Sequence, residues 1–401
     1  MATGLSSERL KRIDTFLQTR YIDTGKLSGA LTLVARRGEI AHFSALGNMD
    51  EERGKPTRKD TIYRIYSMTK PLTSVALMML YEEGRFQLND PVHKFLPEWE
   101  DTAVWVSGEH PDFKTRPQER PMTIRDLLSH QSGLTYGFTD SNAVDRTYQK
   151  LVREKMSDGS LAEGSMFMAG MPLLFSPGTA WNYSVSTDMC GYLVEVLSGQ
   201  KFDEFLKERI ISPLGMTDTA FNVPDDRLER FAANYSPTDD GGIELQDDPE
   251  TSNYRTSPKF LAGGHGLVST ASDYYIFLKM LLNGGVSDGC RYLSRKTIEL
   301  MTTNHLPDGR SISDHAVEEG WSDSIFDGTG FGLGFSVILD PAMAQLASSV
   351  GQYAWGGMAS TAFWVDPEEE VIVVFMTQLM PSTTYPIDRE LRALVNAAIE
   401  D

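Results

Sequence analysis

The sequence predicts an α/β fold on an antiparallel sheet flanked by helices, with a mostly helical block inserted into it. Three observations lead there. Two apolar strands arrive early as a hairpin at 29–46, further strands return only after residue 330, and the stretch from about 85 to 255 reads as helices and long loops. Strands joined by a tight turn run antiparallel, unlike the strands of a βαβ fold. The two chain ends, 1–84 and 256–401, are therefore expected to share the sheet domain, with 85–255 as the helical one. The junction of two such bodies is a usual place for an active site.

Taken in order, residues 6–21 form an amphipathic helix, with Ser6 or Ser7 placed to cap it and Leu10, Ile13, Phe16 and Leu17 on one face. The hairpin follows, turning at Arg36, Arg37, Gly38 and Glu39. Residues 66–83 then carry a pattern that chemistry can use. Ser67 and Lys70 form an S-x-x-K pair, which a helix sets on one face. A serine hydroxyl is a poor nucleophile until a base takes its proton, and a lysine does so only when burial or nearby charge lowers its pKa. Pro71 lacks an N–H and is tolerated only near a helix start, so this helix is expected to begin at about Ser67. Ser67 then sits at the positive end of the helix dipole, where free N–H groups can stabilise an oxyanion. Leu72, Val75, Ala76, Met79 and Leu80 keep helical spacing, and Gly84 follows as a C′ residue.

Within the helical block, Asp90 and Pro91 open a turn-rich stretch that ends at Trp99. Thr123 caps a helix from Ile124 to His130, and further helices centre on Val144, Tyr148 and Leu151 and on Phe202, Phe205, Leu206 and Ile210. Strands return at 331–339, 358–365 and 371–378, followed by a last helix with Leu391, Leu394, Val395 and Ala398 on one face.

Two other places could belong to a site. Tyr183 lies between the turn at Pro177 and Gly178 and the helix of Met189, Leu193 and Val194. A phenol beside a buried ammonium loses its proton more easily and can act as base, then as acid to a leaving group; taken alone, the residue reads as a structural tyrosine. Trp355, Gly356, Gly357 and Met358 precede a strand, where paired glycines permit close approach of a substrate and an edge N–H could complete an oxyanion hole. The same glycines equally fit a turn or bulge.

Several features read as structural. The second S-x-x-K, Ser198 to Lys201, falls across a helix end at Gly199, so its serine and lysine diverge. Gly285 to Gly289 matches G-x-S-x-G around Ser287, but a helix precedes it where an esterase elbow needs a strand. Gly263, Gly264 and Gly266 follow no clear strand and do not make a dinucleotide loop. His130 reads as a structural histidine, and the seven histidines show no ligand spacing. No cofactor or metal is called for.

The chain has 401 residues, 41% hydrophobic and 23% charged, enough for a large core. Its net charge of −19 argues against nucleic acid and anionic membranes as partners. Cys190 and Cys290 read as two reduced thiols. No stretch approaches 18 apolar residues and the N-terminus has no apolar signal core, so a cytoplasmic protein without a membrane span is expected. Oligomeric state is not legible.

Together, Ser67-Met68-Thr69-Lys70, Tyr183-Ser184-Val185 and Trp355-Gly356-Gly357, with the segments 123–134 and 212–218, resemble the class C β-lactamase-like serine hydrolases and, among them, the family VIII carboxylesterases. The resemblance runs from about residue 10 to 400. It implies the β-lactamase/penicillin-binding-protein-like fold and an acyl-enzyme mechanism. Ser67 would be the nucleophile, Lys70 and Tyr183 the base system, and the N–H groups of Ser67 and Met358 the oxyanion hole, with Trp355, Gly356 and Gly357 against the substrate. Two departures bear on that substrate. Val185 stands where β-lactamases of this type carry the asparagine of Tyr-x-Asn, and Trp355-Gly356-Gly357 stands in place of Lys-Thr-Gly. Lys296 and Thr297 are followed by Ile298 and do not replace it. Losing an amide and a cation disfavours an anionic lactam, so the small-molecule partner expected is a neutral ester with a short acyl chain. Acyl transfer on the same scaffold, β-lactam or D-amino-acid peptide hydrolysis, and a non-turning-over acyl sensor are the alternatives.

Overall fold

The structure, a computed structural model, describes residues 3–152, 159–317 and 326–401. Its centre is an eight-stranded sheet of β1 (Gly29–Arg36), β2 (Glu39–Asp50), β3 (Lys55–Pro56), β4 (Thr329–Phe331), β5 (Ser336–Ile338), β6 (Tyr353–Gly356), β7 (Ala362–Asp366) and β8 (Val371–Met376). The spatial order is β4-β5-β6-β7-β8-β1-β2-β3, every neighbour antiparallel. Early and late strands meet inside the sheet, where β1 pairs with β8 from Leu31 opposite Met376 to Arg36 opposite Val371.

Both faces of these inner strands are covered, which is why they are apolar throughout. Leu31, Leu33, Ile372, Val374 and Met376 enter one core; Ala30, Val34, Val371, Val373 and Phe375 enter the other. The second core is closed by α1 (Ser7–Leu17) and α5 (Ile387–Asn396), through Leu10, Ile13, Leu17, Leu391 and Val395. Burying each such side chain stabilises the fold by roughly 1.5–3 kcal/mol. On the other face lies α4 (Ala271–Leu282), capped by Thr270 Oγ1, which accepts from the Asp273 N–H.

The helix α2 (Thr69–Glu82) is buried at every position from Thr69 to Leu80. A helix enclosed on all sides needs apolar or internally paired residues all round, and its sequence has them. It packs against α3 (Ser186–Ser198), which comes from the helical stretch, and the β4–β5 turn presses on it from the sheet side, with Gly334 against Ser74. The helix that carries Lys70 is thus held between α3 and the sheet.

The strand expected at 331–339 is two strands. The chain reverses at 332–335, where the Gly332 N–H donates to Phe335 C=O (2.8 Å) and Leu333 N–H to Met301 C=O (2.8 Å). Trp355 and Gly356 belong to a strand of their own, β6, and the strand expected from 358 begins at Ala362. The hairpin Asn234–Pro237 and Ile243–Asp247 leans on the sheet, through Tyr235 N–H to Gln378 C=O (3.0 Å) and Ala233 N–H to Met49 C=O (2.8 Å). Among the described residues no helix is long and apolar enough to cross a membrane.

Candidate active site

Ser67 lies in a single tight turn, Tyr66–Met68, that runs directly into α2. Lys70 and Pro71 fall in the first α-helical turn, where the proline requires no lost hydrogen bond. Tyr66 is held at a φ of 40°, a left-handed conformation that costs a non-glycine residue about 1–3 kcal/mol. The chain is fixed just upstream by buried Arg64. Its Nε donates to Asp247 (2.7 Å), Nη1 to Ala232 C=O (2.6 Å) and Nη2 to Ser252 Oγ (3.1 Å), with the guanidinium 4.0 Å from the Phe231 ring. Ser67 itself remains partly exposed, whereas Lys70 is fully buried.

Lys70 Nζ lies 3.2 Å from Ser67 Oγ, 3.0 Å from Tyr136 OH and 2.7 Å from Gly264 C=O. It also stands 4.4 Å from the centre of the Tyr183 ring. Burial lowers its pKa from 10.5 to about 7, against the opposing pull of the Asp188 carboxylate. The hydrogen bonds fix how a neutral amine is oriented. Gly264 C=O can only accept, and Tyr136 OH donates to Asp188 Oδ2 (3.4 Å), so its oxygen accepts from Lys70. Two N–H groups are thereby committed, and the lone pair is left for the Ser67 hydroxyl.

Tyr183 comes in just before α3 and accepts from Trp355 Nε1–H at 3.3 Å while also bonding to the Ser67 side chain. Burial pushes its pKa up, and the hydrogen bonds it shares with Ser67 and Trp355 only partly oppose this. A phenol that ionises easily was the expectation from the sequence; the structure reverses that direction, because burial, helped by the nearby Asp188 carboxylate, outweighs those hydrogen bonds. Trp355 sits at the end of β6. Gly357, next but one, has its N–H taken by Thr361 C=O (2.8 Å), and a Cβ there would fall 2.5 Å from Ile65 C=O as well as against Thr361 Oγ1. Only glycine lets β6 lie this close to the turn that holds Ser67. Met358 follows, partly exposed. The sequence's candidates Ser67, Lys70, Tyr183 and Trp355 are thus joined by hydrogen bonds, and Gly356, Gly357 and Met358 border them.

Three groups in this network had no motif to announce them. Asp188, fully buried on α3, accepts from Gly264 N–H (2.9 Å) and from Tyr136. Gly264 hands Lys70 its carbonyl, and a Cβ there would lie 2.5 Å from Tyr136 OH and 2.7 Å from Asp188 Oδ2. The only available signals were the glycine run at 263–266 and the place of Asp188 five residues beyond Tyr183. Rings complete the surroundings. Tyr136 stacks on Phe138 (4.8 Å), and Trp355 stacks on Phe326 (6.2 Å) and meets Phe331 edge-on (5.2 Å).

The remaining candidates fall elsewhere. Ser198 ends α3 and Gly199 turns left-handed (φ 75°), so Lys201 leaves the helix as expected. Ser287 is in a two-residue strand paired with Cys290 beyond α4, not on a strand-to-helix elbow. His130 is buried beside Tyr183.

A serine whose hydroxyl faces a buried, nearly neutral amine, beside helix-start N–H groups, can attack a carbonyl carbon and be returned to its resting state. Comparisons agree with that chemistry. Residues 13–397 match the family described as β-lactamase. The chain is 36% identical over 362 residues to Protein Rv1367c of Mycobacterium tuberculosis, covering 90% of this chain and 88% of that protein. It is 30% identical over 363 residues to Esterase EstB of Burkholderia gladioli, covering 88% and 86%. Among solved structures, EstCE1, described as a hydrolase with promiscuous acyltransferase activity, superposes with a TM-score of 0.81 at 25% identity, covering 97% of this chain and 99% of that one. The fold is the β-lactamase/penicillin-binding-protein-like one, and the chain belongs to the β-lactamase family of serine hydrolases, with family VIII esterase-like relatives.

Proposed function

We propose that this protein is a carboxylesterase that hydrolyses short-chain, uncharged esters through an acyl-enzyme on Ser67. The site would lie where the sheet domain (1–84 and 256–401) meets the helical block (85–255). The observation that carries the reading is the 3.2 Å contact between Ser67 Oγ and a lysine whose pKa burial brings to about 7. Ser67 gives its proton to the Lys70 amine as its oxygen bonds to the ester carbonyl carbon. The N–H groups of Ser67 and Met358 receive the oxyanion. When the intermediate collapses, the C–O bond to the alcohol breaks and the alcohol oxygen takes a proton relayed from Lys70 through the Tyr183 phenol. Water then attacks the acyl-serine, yields its proton to the same amine, and Ser67 recovers its own. We assign the base to Lys70 and keep Tyr183 protonated as the relay, since burial holds its proton on.

The substrate class rests on what stands in two places. Trp355 engages Tyr183 where related β-lactamases present a cation, and Val185, buried, offers no amide. An ester without charge suits these groups better than an anionic lactam. The description of EstCE1 favours a second reading, in which an alcohol replaces water and the acyl group is transferred.

Steady-state assays of wild type and Ser67→Ala on p-nitrophenyl butyrate, with a chromogenic cephalosporin in parallel, test this. Turnover of the ester that Ser67→Ala abolishes, with slow turnover of the cephalosporin, is the expected result. A cephalosporin hydrolysed faster than the ester refutes the substrate assignment. An added alcohol that diverts product from acid to ester identifies transfer.

A further inference from the structure

Behind Tyr183 lies a buried residue that the mechanism does not use. We propose that His130 is a positioning residue for Tyr183, gripping residues 182, 183 and 184 in turn with its carbonyl, its ring and its Nδ1. Its carbonyl accepts the Asn182 N–H (2.9 Å), its ring lies 4.9 Å from the Tyr183 ring, and Nδ1 is 3.2 Å from Ser184 Oγ. The carbonyl contact belongs to the backbone, and the other two belong to the imidazole. The backbone at His130 is left-handed (φ 57°), which turns the carbonyl and the imidazole toward the same neighbouring loop. The inference rests on the relay role given to Tyr183 above.

The hydroxyls around it settle which nitrogen carries the proton. Ser184 Oγ is 2.7 Å from Ser186 Oγ, and Ser186 Oγ is 2.7 Å from Ser132 Oγ. Ser132 Oγ accepts from Leu134 N–H (3.2 Å), and Ser184 Oγ accepts from Ser186 N–H (3.4 Å). For every hydroxyl proton in the row to find an acceptor, Ser132 donates to Ser186, Ser186 to Ser184, and Ser184 to His130 Nδ1. The imidazole is therefore neutral and protonated on Nε2, which has no hydrogen-bond partner among the described residues; the rings of Phe331 (5.3 Å) and Trp181 (6.1 Å) stand steeply inclined to the imidazole. Burial and the nearby Lys70 both hold His130 neutral, so the row keeps this direction across the working pH range. Asn182 Nδ2 ties the same two loops through Leu134 C=O (3.0 Å).

The test is a double-mutant cycle on ethyl butyrate, whose alkoxide leaving group, unlike p-nitrophenolate, needs the proton that Tyr183 relays. His130→Phe keeps a ring and removes the acceptor; Ser184→Ala removes the donor from the other side. His130→Asn supplies a carboxamide oxygen near the position of Nδ1, and asparagine tolerates the left-handed backbone. We expect His130→Phe and Ser184→Ala to lower kcat by about tenfold or more with KM within about twofold, and His130→Asn to stay within about threefold of wild type. In a Tyr183→Phe background, His130→Phe and Ser184→Ala should change kcat by less than about twofold, because their effect passes through the phenol. Multiplicative losses in that background, or wild-type kcat in Ser184→Ala, overturn the proposal. If His130→Phe does not fold, the Ser184→Ala cycle decides alone. Full activity in Tyr183→Phe would instead overturn the relay role itself, which separates the two failures.

Discussion

Asp188 and Lys70 give the sharpest quantitative expectation. An ordinary lysine with a pKa of 10.5 is neutral in about one molecule in 3,000 at pH 7, whereas one near 7 is neutral in about half. The buried site therefore raises the fraction of ready base roughly a thousandfold. Because neutral Lys70 is the reactive form, kcat/KM on p-nitrophenyl butyrate should rise about tenfold per pH unit below 7 and level off above it. This substrate isolates the base, since p-nitrophenolate departs without needing a proton. The perturbation is Asp188→Asn. The Asp188 carboxylate favours the ammonium form and works against burial, so removing its charge should lower the pKa of Lys70 further. The amide oxygen can still accept the Gly264 N–H that Asp188 now receives at 2.9 Å. The acid limb should accordingly move to lower pH, and the rate at pH 6, as a fraction of the plateau, should increase. Rates from pH 5 to 9, corrected with Ser67→Ala, give the midpoint directly. A midpoint that stays put or moves up in Asp188→Asn, or a wild-type limb near 10, would refute the reasoning.

Other substitutions probe the architecture around that pair. Gly357→Ala should lower activity by tenfold or more and cost about 1–3 kcal/mol of stability in urea denaturation, because its Cβ would fall 2.5 Å from Ile65 C=O and push β6 off the Ser67 turn. Trp355→Phe keeps the ring but loses the N–H given to Tyr183 at 3.3 Å; a net hydrogen bond of about 0.5–1.5 kcal/mol corresponds to a two- to tenfold fall in kcat, with the acid limb unmoved. Gly264→Ala should shift the acid limb as well as lower kcat, since its Cβ would displace Tyr136 OH and Asp188 together.

What could be read in the chain follows from how local each constraint is. Ser67 and Lys70 are three residues apart, and Pro71 pins the helix start, so covalent spacing alone nearly fixes their relation. The hairpin at 29–46 and the helix around Leu391 declare themselves by apolar period. Tyr183 carried no such mark and was found by its resemblance to a family motif. Tyr136, Asp188 and Gly264 were invisible because they meet Lys70 only through tertiary contact, from segments 66 to 194 residues distant. β6 was missed for a related reason. The four residues Tyr353–Gly356 carry no strand signal of their own, and their strand conformation comes from pairing with β5 and β7. The direction of the Tyr183 shift also needed the fold, since it depends on the burial of the phenol and on the Asp188 carboxylate nearby.

The central claim is that Ser67 becomes acylated. Mass spectrometry of the protein treated with an alkyl fluorophosphonate, followed by peptide mapping, tests it most directly. One adduct per chain on Ser67, with activity lost in proportion and no labelling of Ser67→Ala, is the predicted result. An adduct on Ser287 or Ser198, or labelling that persists in Ser67→Ala, would contradict the account.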